Sequence, residues 1–438
     1  MTNLAWNVER VLPSAIADLH RLISIPSISS MPEHDADVAA CADAVSGLFR
    51  DLGASEVKLL DGGGKPAVWA NFPGPEGTPT VLLYAHYDVQ PTGDTDAWTS
   101  PAFEPTERDG RLYARGSADD KGGVALHVAA LRVFDGKPPV GVKVFIEGEE
   151  EVGSPSMPTL LDRYRDELAA DVYVVADSVN WEVGKPSLTT SLRGVADCQV
   201  TVSTLAEGLH SGQFGGVVPD ALTALCRLLA TLHDDAGNVA IEGLVTGTAP
   251  DLDYPEDRLL EETGLLEGVS QIGDGSVVER MWFKPAASVL AIDATPVAKA
   301  SNTLIPSARA KVSVRLVPGQ DPAAAAKALE EHLRRNAPWG AHVDVVAGQC
   351  GAPGRITLEG ERAEAAKTAF REAFGVDAVE IGCGGSIPIV AEFADRNPEA
   401  LVLVTAVTDP NSRMHGIDES LDLGDFAKAA LAETLLLN

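Results

Sequence analysis

The run Val81, Leu82, Leu83, Tyr84, Ala85 passes without a break into His86, Tyr87 and Asp88, and this stretch constrains the fold more than any other. An unbroken apolar run of that length describes a strand buried on both faces, as in a parallel sheet covered by helices. Its polar end then opens at the sheet edge, where open α/β sheets hold their ligands. Residues two apart on an extended chain share a face, so His86 and Asp88 point the same way. A metal-binding imidazole needs a partner for its second nitrogen, and a carboxylate at that spacing supplies one. An ordinary hydrogen bond between a strand-end histidine and a turn aspartate also accounts for the pair. These residues alone leave both readings open.

The flanking sequence extends the pattern. Residues 8–23 and 38–52 carry apolar positions at three- and four-residue steps, which predicts helices, the second closing at Gly53. Residues 68–72 and 80–85 read as neighbouring strands across a Pro- and Gly-rich turn. A helix follows Asp119, Asp120, Lys121, Gly122 and Gly123, which puts Asp119 near a helix N-terminus, where backbone N–H groups favour negative charge. Residues 142–146 form a strand running into Glu147, Glu149, Glu150 and Glu151, and the strand at 172–176 ends at Asp177. Strands alternating with helices predict an α/β catalytic domain with a mostly parallel sheet covered by helices.

Near Ser191 the pattern changes. Residues 198–202 alternate like a half-exposed antiparallel strand. A helix at 219–232, strands at 288–292 and 308–317, a helix from 322 to 335 capped by Asp321, and a strand at 343–346 follow. These two βαβ-like halves predict an inserted α+β domain of ferredoxin-like type, serving dimerisation or acting as a lid. The expected division is 1–192 and 353–438 for the catalytic domain and 193–352 for the insertion, with the acidic stretch 251–274 peripheral. From residue 356 the first pattern returns, with a helix at 362–374, a glycine loop around Gly385 and Ser386, a strand at 401–404, and a polar loop carrying His415.

Composition narrows the function. A length of 438 residues points to more than one domain. The net charge of -30 argues against nucleic acid or an anionic membrane as partner. Five cysteines without a CxxC pair suit a reduced, cytoplasmic protein. The first ten residues lack the basic start and apolar run of a signal peptide, and no stretch is long enough to cross a bilayer. With 64 acidic residues, a single carboxylate is ordinarily a solvated surface group, so only arrangement is informative. Taken alone, Glu149, Glu150 and Glu151 read as such a solvated cluster.

Collected at the junctions are His86, Asp88, Asp119, Glu150, Glu151, Asp177 and His415. Histidine with carboxylate and no cysteine suits Zn²⁺, Co²⁺ or Mn²⁺. Two such ions ~3.5 to 4 Å apart need a bridging carboxylate, and sites of that kind activate water for hydrolysis.

The motifs HYDVQP at His86, RGSADDKGG at Arg115, EGEEEVGS at Glu147, GLHSGQFGG at Gly208 and GSIPI at Gly385 are collinear and span nearly the whole chain. Together they resemble the carnosinase-like dipeptidases, within the larger aminoacylase/carboxypeptidase family of di-zinc metallopeptidases. The resemblance implies Asp119 as bridging carboxylate, His86 and Asp177 on one zinc, and Glu151 and His415 on the other. Asp88 would orient His86. Glu150 would be the general base, taking a proton from a water held between the two zinc ions and delivering it to the leaving amine. Mn²⁺ or Co²⁺ are the alternatives to zinc.

The same resemblance implies that His210 reaches across a homodimer to stabilise the tetrahedral oxyanion. Arg315 would hold the substrate's terminal carboxylate, with Gly385 and Ser386 offering backbone N–H donors to it and Asn302 and Thr303 lining the pocket. Read from the residues alone, a turn histidine, an outward strand arginine and a packing loop also fit. The implied function is metal-dependent hydrolysis of the peptide bond in dipeptides or short peptides, with a small peptide and no nucleic acid or membrane as partner. Two alternatives stand beside it: an N-acyl-amino-acid amidohydrolase, and a non-catalytic binding protein of the same fold. HYDVQP and the GQFGG continuation favour the dipeptidase branch, and a binder has no need of Glu150.

Overall fold

The computed structural model describes residues 3–385 and 387–438. The described residues fall into two compact units, the first within Met1–Thr190, Ile356–Ile381 and Ile387–Asn438, the second within Ser191–Arg355 and Gly382–Ser386. The strands of the two larger sheets are, in chain order, β1 (Glu56–Leu60), β2 (Ala67–Phe72), β3 (Thr80–His86), β4 (Gly141–Glu147), β5 (Val172–Val179), β6 (Gly194–Ser203), β7 (Ala286–Asp293), β8 (Ser307–Leu316), β9 (His342–Gly351) and β10 (Leu401–Thr408). The main helices are α1 (Asn3–Ile23), α2 (Asp35–Asp51), α3 (Lys121–Val133), α4 (Ala221–Ala230), α5 (Pro322–Arg335), α6 (Glu361–Phe374) and α7 (Leu423–Leu436).

In the first unit the sheet order is β1-β2-β4-β3-β5-β10. β3 runs parallel to β4 and β5, and β5 parallel to β10, while β1 and β2 join antiparallel. The sheet is mostly parallel, as expected, but β2 and β3 are not neighbours. β4 lies between them, pairing Val68 with Ile146 on one side and Ala85 with Ile146 on the other. Val142, Val144, Phe145 and Ile146 are all fully buried, and only an interior place in the sheet removes a strand that apolar from water. Leu82 to Ala85 of β3 are likewise fully buried. α3 is buried on nearly every side, packed on β3 and against α1 and α7. The strand that carries His86 is therefore fixed from all directions.

The second unit has sheet order β7-β8-β6-β9, antiparallel throughout. With α4 after β6 and α5 after β8, this is the ferredoxin-like βαββαβ arrangement. Ala196, Cys198, Val200 and Val202 of β6 and Ala308, Ala310, Val312, Val314 and Leu316 of β8 share one core with Leu225 and Leu228 of α4 and Leu329 and Leu333 of α5. That two-residue period places every inward side chain on the helix-covered face. Asp321 caps α5 by accepting from the N–H groups of Ala323 and Ala324. The edge strand β7 leaves Val289, Leu290 and Ile292 exposed. The acidic stretch holds a short helix, Glu256–Thr263. Among the described residues no helix is long and apolar enough to cross a membrane.

Candidate metal centre

β3 delivers His86 to the carboxyl edge of its sheet, fully buried. Its Nδ1 donates to the backbone carbonyl of Asp88 (3.1 Å), and the Asp88 carboxylate stands farther off at 3.4 Å. The expected partner residue is in place, with its carbonyl nearer to Nδ1 than its carboxylate. The Asp88 carboxylate is taken up elsewhere, accepting the N–H groups of Glu150 (3.2 Å) and Glu151 (3.1 Å). Asp88 therefore ties the histidine to the glutamate turn. With Nδ1 donating, a neutral ring keeps its free lone pair on Nε2.

The turn that follows β4 sorts the three glutamates. Glu149 is buried and accepts from the N–H groups of Lys65 (2.9 Å) and Ser156 (3.3 Å), so it closes the turn. Glu150 and Glu151 begin a single 3-10 turn, Glu150–Val152. Glu151 is steadied by Gln90, whose Nε2 donates to its carboxylate at 2.8 Å. A solvated acidic cluster would show none of these fixed partners.

Asp119 and Asp120 precede α3 and divide their roles. Asp120 is the capping residue, accepting from Gly123 N (3.2 Å) and from His86 N (3.2 Å), so the cap lies one residue beyond Asp119. The loop is closely packed: a Cβ on Gly122 would sit 2.6 Å from the Ser117 carbonyl oxygen, and one on Gly123 2.9 Å from that of Ala176. Only glycine fits at either position. Asp177 does not end its strand, because β5 continues to Val179. It sits where the pairing with β10 shifts register between Val404 and Ala406, and such a bulge re-aims a side chain. His415 lies in the loop before α7 with a positive φ of 62°.

These elements bring the side chains together. Ligand-capable atoms of His86, Asp120 and Asp177 lie within 4.8 Å of one another, as do those of Asp119, Glu151 and His415. Asp119 joins the two groups: its Oδ1 is 3.2 Å from His86 Nε2 and its Oδ2 is 3.0 Å from His415 Nε2. His415 Nε2 is also 3.3 Å from Glu151, and His86 Nε2 is 3.9 Å from Asp177. Both oxygens of Asp120 already accept backbone N–H groups, which leaves Asp119 as the carboxylate open on two sides.

The centre suits cations. His86 Nε2 is buried and makes no hydrogen bond of acceptable geometry, an orphaned lone pair that a metal ion satisfies. Burial opposes charge on His86, yet Asp119 and Asp88 outweigh it and hold the imidazole well above its ordinary pKa. Asp119 and Glu151 raise His415 to about 10. Carboxylates that hold protons on two histidines also attract cations to them. Burial, followed by Asp177, pushes the Glu150 carboxyl well above the usual carboxylate range.

In the second unit, His210 and Leu209 pair antiparallel with Thr303 and Leu304, and Ser211 N donates to Asn302 O (2.9 Å). His210 is exposed and its Nδ1 accepts from Gly212 N (3.1 Å), which leaves Nε2 of the neutral ring as a donor. Arg315 lies eight residues beyond Ser307 on β8, roughly 27 Å along the strand. Within the unit, Arg315 and the group of His210, Asn302 and Thr303 therefore stand toward opposite ends of β8, and one pocket of a single chain does not draw on both through this sheet. Beside Arg315 is Arg193, pulled down to about 10 by burial and then by that like charge. Arg193 N donates to Cys383 O (3.2 Å), which connects this end to the loop of Gly385. Ser386 lies outside the described residues.

Sequence reasoning missed Gln90, Asp120 and Arg193. Gln90 had a signal, since it continues the two-residue period of His86 and Asp88. Asp120 had one as well, three residues before a glycine at a helix start. Arg193 had none.

A mostly parallel sheet that brings two adjoining His and carboxylate clusters to its carboxyl edge defines a hydrolase of the metal-dependent class. Residues 82–438 match peptidase family M20/M25/M40, and the chain belongs to that family. It is 36% identical to a cysteinylglycine-S-conjugate dipeptidase of Corynebacterium striatum over 99% of this chain and 96% of the relative. It is 29% identical to the beta-Ala-His dipeptidase of Rattus norvegicus, covering 87% and 83%. The solved structure of the di-peptidase Dug1p from Saccharomyces cerevisiae shares the fold with a TM-score of 0.88 at 24% identity, over 100% of this chain and 97% of that one.

Proposed function

We propose that this chain hydrolyses dipeptides, as a cytoplasmic homodimer with two zinc ions in each subunit. The observation that carries the reading is the two-sided placement of Asp119, 3.2 Å from His86 and 3.0 Å from His415. A carboxylate so placed would be shared by two cations, with His86 and Asp177 holding the first and Glu151 and His415 the second. The donors are all nitrogen and oxygen, which suits zinc and also Mn²⁺ or Co²⁺. Bound ions supply Lewis acidity toward the scissile carbonyl and a more acidic water. With the ions bound, Glu150 would accept a proton from the activated water and pass it to the departing amine. His210, with a donor on Nε2, stabilises the oxyanion of a partner subunit, and Asn302 and Thr303 accompany it. Arg315 and the backbone of Gly385 and Ser386 receive the substrate's carboxylate.

Two further observations support the assembly and the compartment. The exposed apolar residues of edge strand β7 offer an isologous contact to a second copy. Cys41, Cys198, Cys226 and Cys350 are free thiols, as suits a reducing environment. The names of the relatives place cysteinylglycine and β-alanyl-histidine first among substrates to try. A panel of dipeptides and N-acetyl amino acids, assayed after chelation and again with Zn²⁺, Mn²⁺ or Co²⁺, tests the reading. Metal-restored cleavage of dipeptides supports it. Preference for N-acetyl amino acids makes the chain a deacylase instead, and activity that survives exhaustive chelation removes the metal centre.

A further inference from the structure

We propose that Glu419 and Arg115 form a positioning clamp that sets the gap between Asp119 and His415, and so the affinity of the second metal position. The inference rests on the ligand reading above. Glu419 is fully buried and Arg115 is 1% exposed. Oε1 of Glu419 accepts three backbone N–H groups, those of Gly116, Ala118 and Asp119, each at 3.0 Å. Oε2 accepts from Arg115 Nη1 at 2.6 Å. The other arm of the guanidinium, Nη2, donates to the carbonyls of Pro91 (3.1 Å) and Gly416 (3.2 Å), and its Cζ lies 5.6 Å from the centre of the Trp98 ring.

A buried carboxylate is costly unless it is paired and hydrogen-bonded, and a well-packed apolar pair would often stabilise a core as well. What an apolar pair cannot do is bind these particular backbone groups. One carboxylate here holds the N–H of Asp119, and the guanidinium it anchors holds the carbonyl of the residue after His415. Both sides of the 3.0 Å approach between Asp119 Oδ2 and His415 Nε2 are thus referred to one point. His86 and Asp177 take their places from the ladders of β3 and β5, which the clamp does not touch. Asp119 serves both positions, so loss of the clamp should weaken both, and the second more, because only there does the clamp also set the loop of His415.

Glu419→Gln tests this in the full-length protein, because the amide oxygen still accepts N–H groups while its NH2 faces the Arg115 donor. The metal-free protein is titrated with Co²⁺, followed by visible absorption and calorimetry. In the wild type two ions bind. In the variant the first should weaken only slightly and the second ~10- to 100-fold, the size seen when groups behind a ligand are removed. kcat should fall with little change in KM and recover as Co²⁺ is raised. Two affinities that match the wild type, or that fall by the same factor, overturn the clamp. A wild-type chain that takes up fewer than two ions overturns the ligand reading, and the clamp with it. Should Glu419→Gln fail to fold, Arg115→Lys, which keeps the charge and loses the grip on Pro91 and Gly416, carries the same expectations.

Discussion

The two units fix their candidate functional residues in opposite ways. In the first, His86 is fully buried and Asp119 is 7% exposed, the carboxylates of Asp88 and Asp120 are bound by backbone N–H groups, and of the five ligand candidates only His415 is exposed. In the second, His210, Asn302 and Thr303 are exposed, and the His210 ring is steadied by the N–H of Gly212. Burial with several fixed partners gives the geometric precision that metal ligation and proton transfer demand. An exposed side chain with one local contact is placed only when something covers it. On the proposed reading the first unit supplies metal ligation and proton transfer and the second supplies groups that meet the substrate, and variants in each should fail differently.

Glu150→Gln gives the sharpest break. It keeps shape and hydrogen-bonding capacity while removing the proton acceptor, so turnover should fall ~10²- to 10⁴-fold. Metal content, measured by elemental analysis, should stay at the wild-type level, because Glu150 belongs to neither ligand group. Near-normal turnover in this variant would remove Glu150 as the base and, with it, the assignment of proton transfer to the first unit.

How far the sequence foretold each unit follows from what is local. α5 and the alternating strands β6 and β8 were legible because their period and the Asp321 cap are written in consecutive residues. The order β2-β4-β3 was not, since it depends on which strand most needs two neighbours. His86, Asp119, Glu151, Asp177 and His415 stand out as polar residues at junctions between elements, and the structure brings them together. Asp88 was legible as the partner of His86, but not the share its carbonyl takes, because spacing gives the face that Asp88 occupies and not whether its carbonyl or its carboxylate stands nearer. The bulge at Asp177 and the neighbour of Arg315 are products of pairing between distant segments, so no local pattern announces them.

His210→Ala should lower kcat ~10²- to 10³-fold, the effect of losing one oxyanion donor, with metal content unchanged. It also sharpens the comparison, since the second unit would then serve a centre in another subunit. Mixing Glu150→Gln protein with His210→Ala protein and allowing subunits to exchange should restore activity above either alone, because one centre in each hybrid has both groups. Failure to complement, with hybrids shown to form, places His210 outside the reaction or within its own subunit's centre.

Arg315→Ala carries the smallest of these effects and bears on recognition alone. A charge-assisted hydrogen bond to a carboxylate is worth ~1.5 to 3 kcal/mol, so KM should rise ~10- to 100-fold while kcat and metal content hold. The rise should lie near the lower end of that range, because Arg193 remains beside the vacated position. Arg193 does not move in to compensate: its Nη2 donates to the carbonyl of Arg280 at 2.9 Å and to that of Lys284. Dipeptide amides, which present no carboxylate, should show almost no change in KM on the same substitution. An equal loss for acids and amides would mean that Arg315 supports the strand rather than the substrate, and the division of labour between the units would rest on His210 alone.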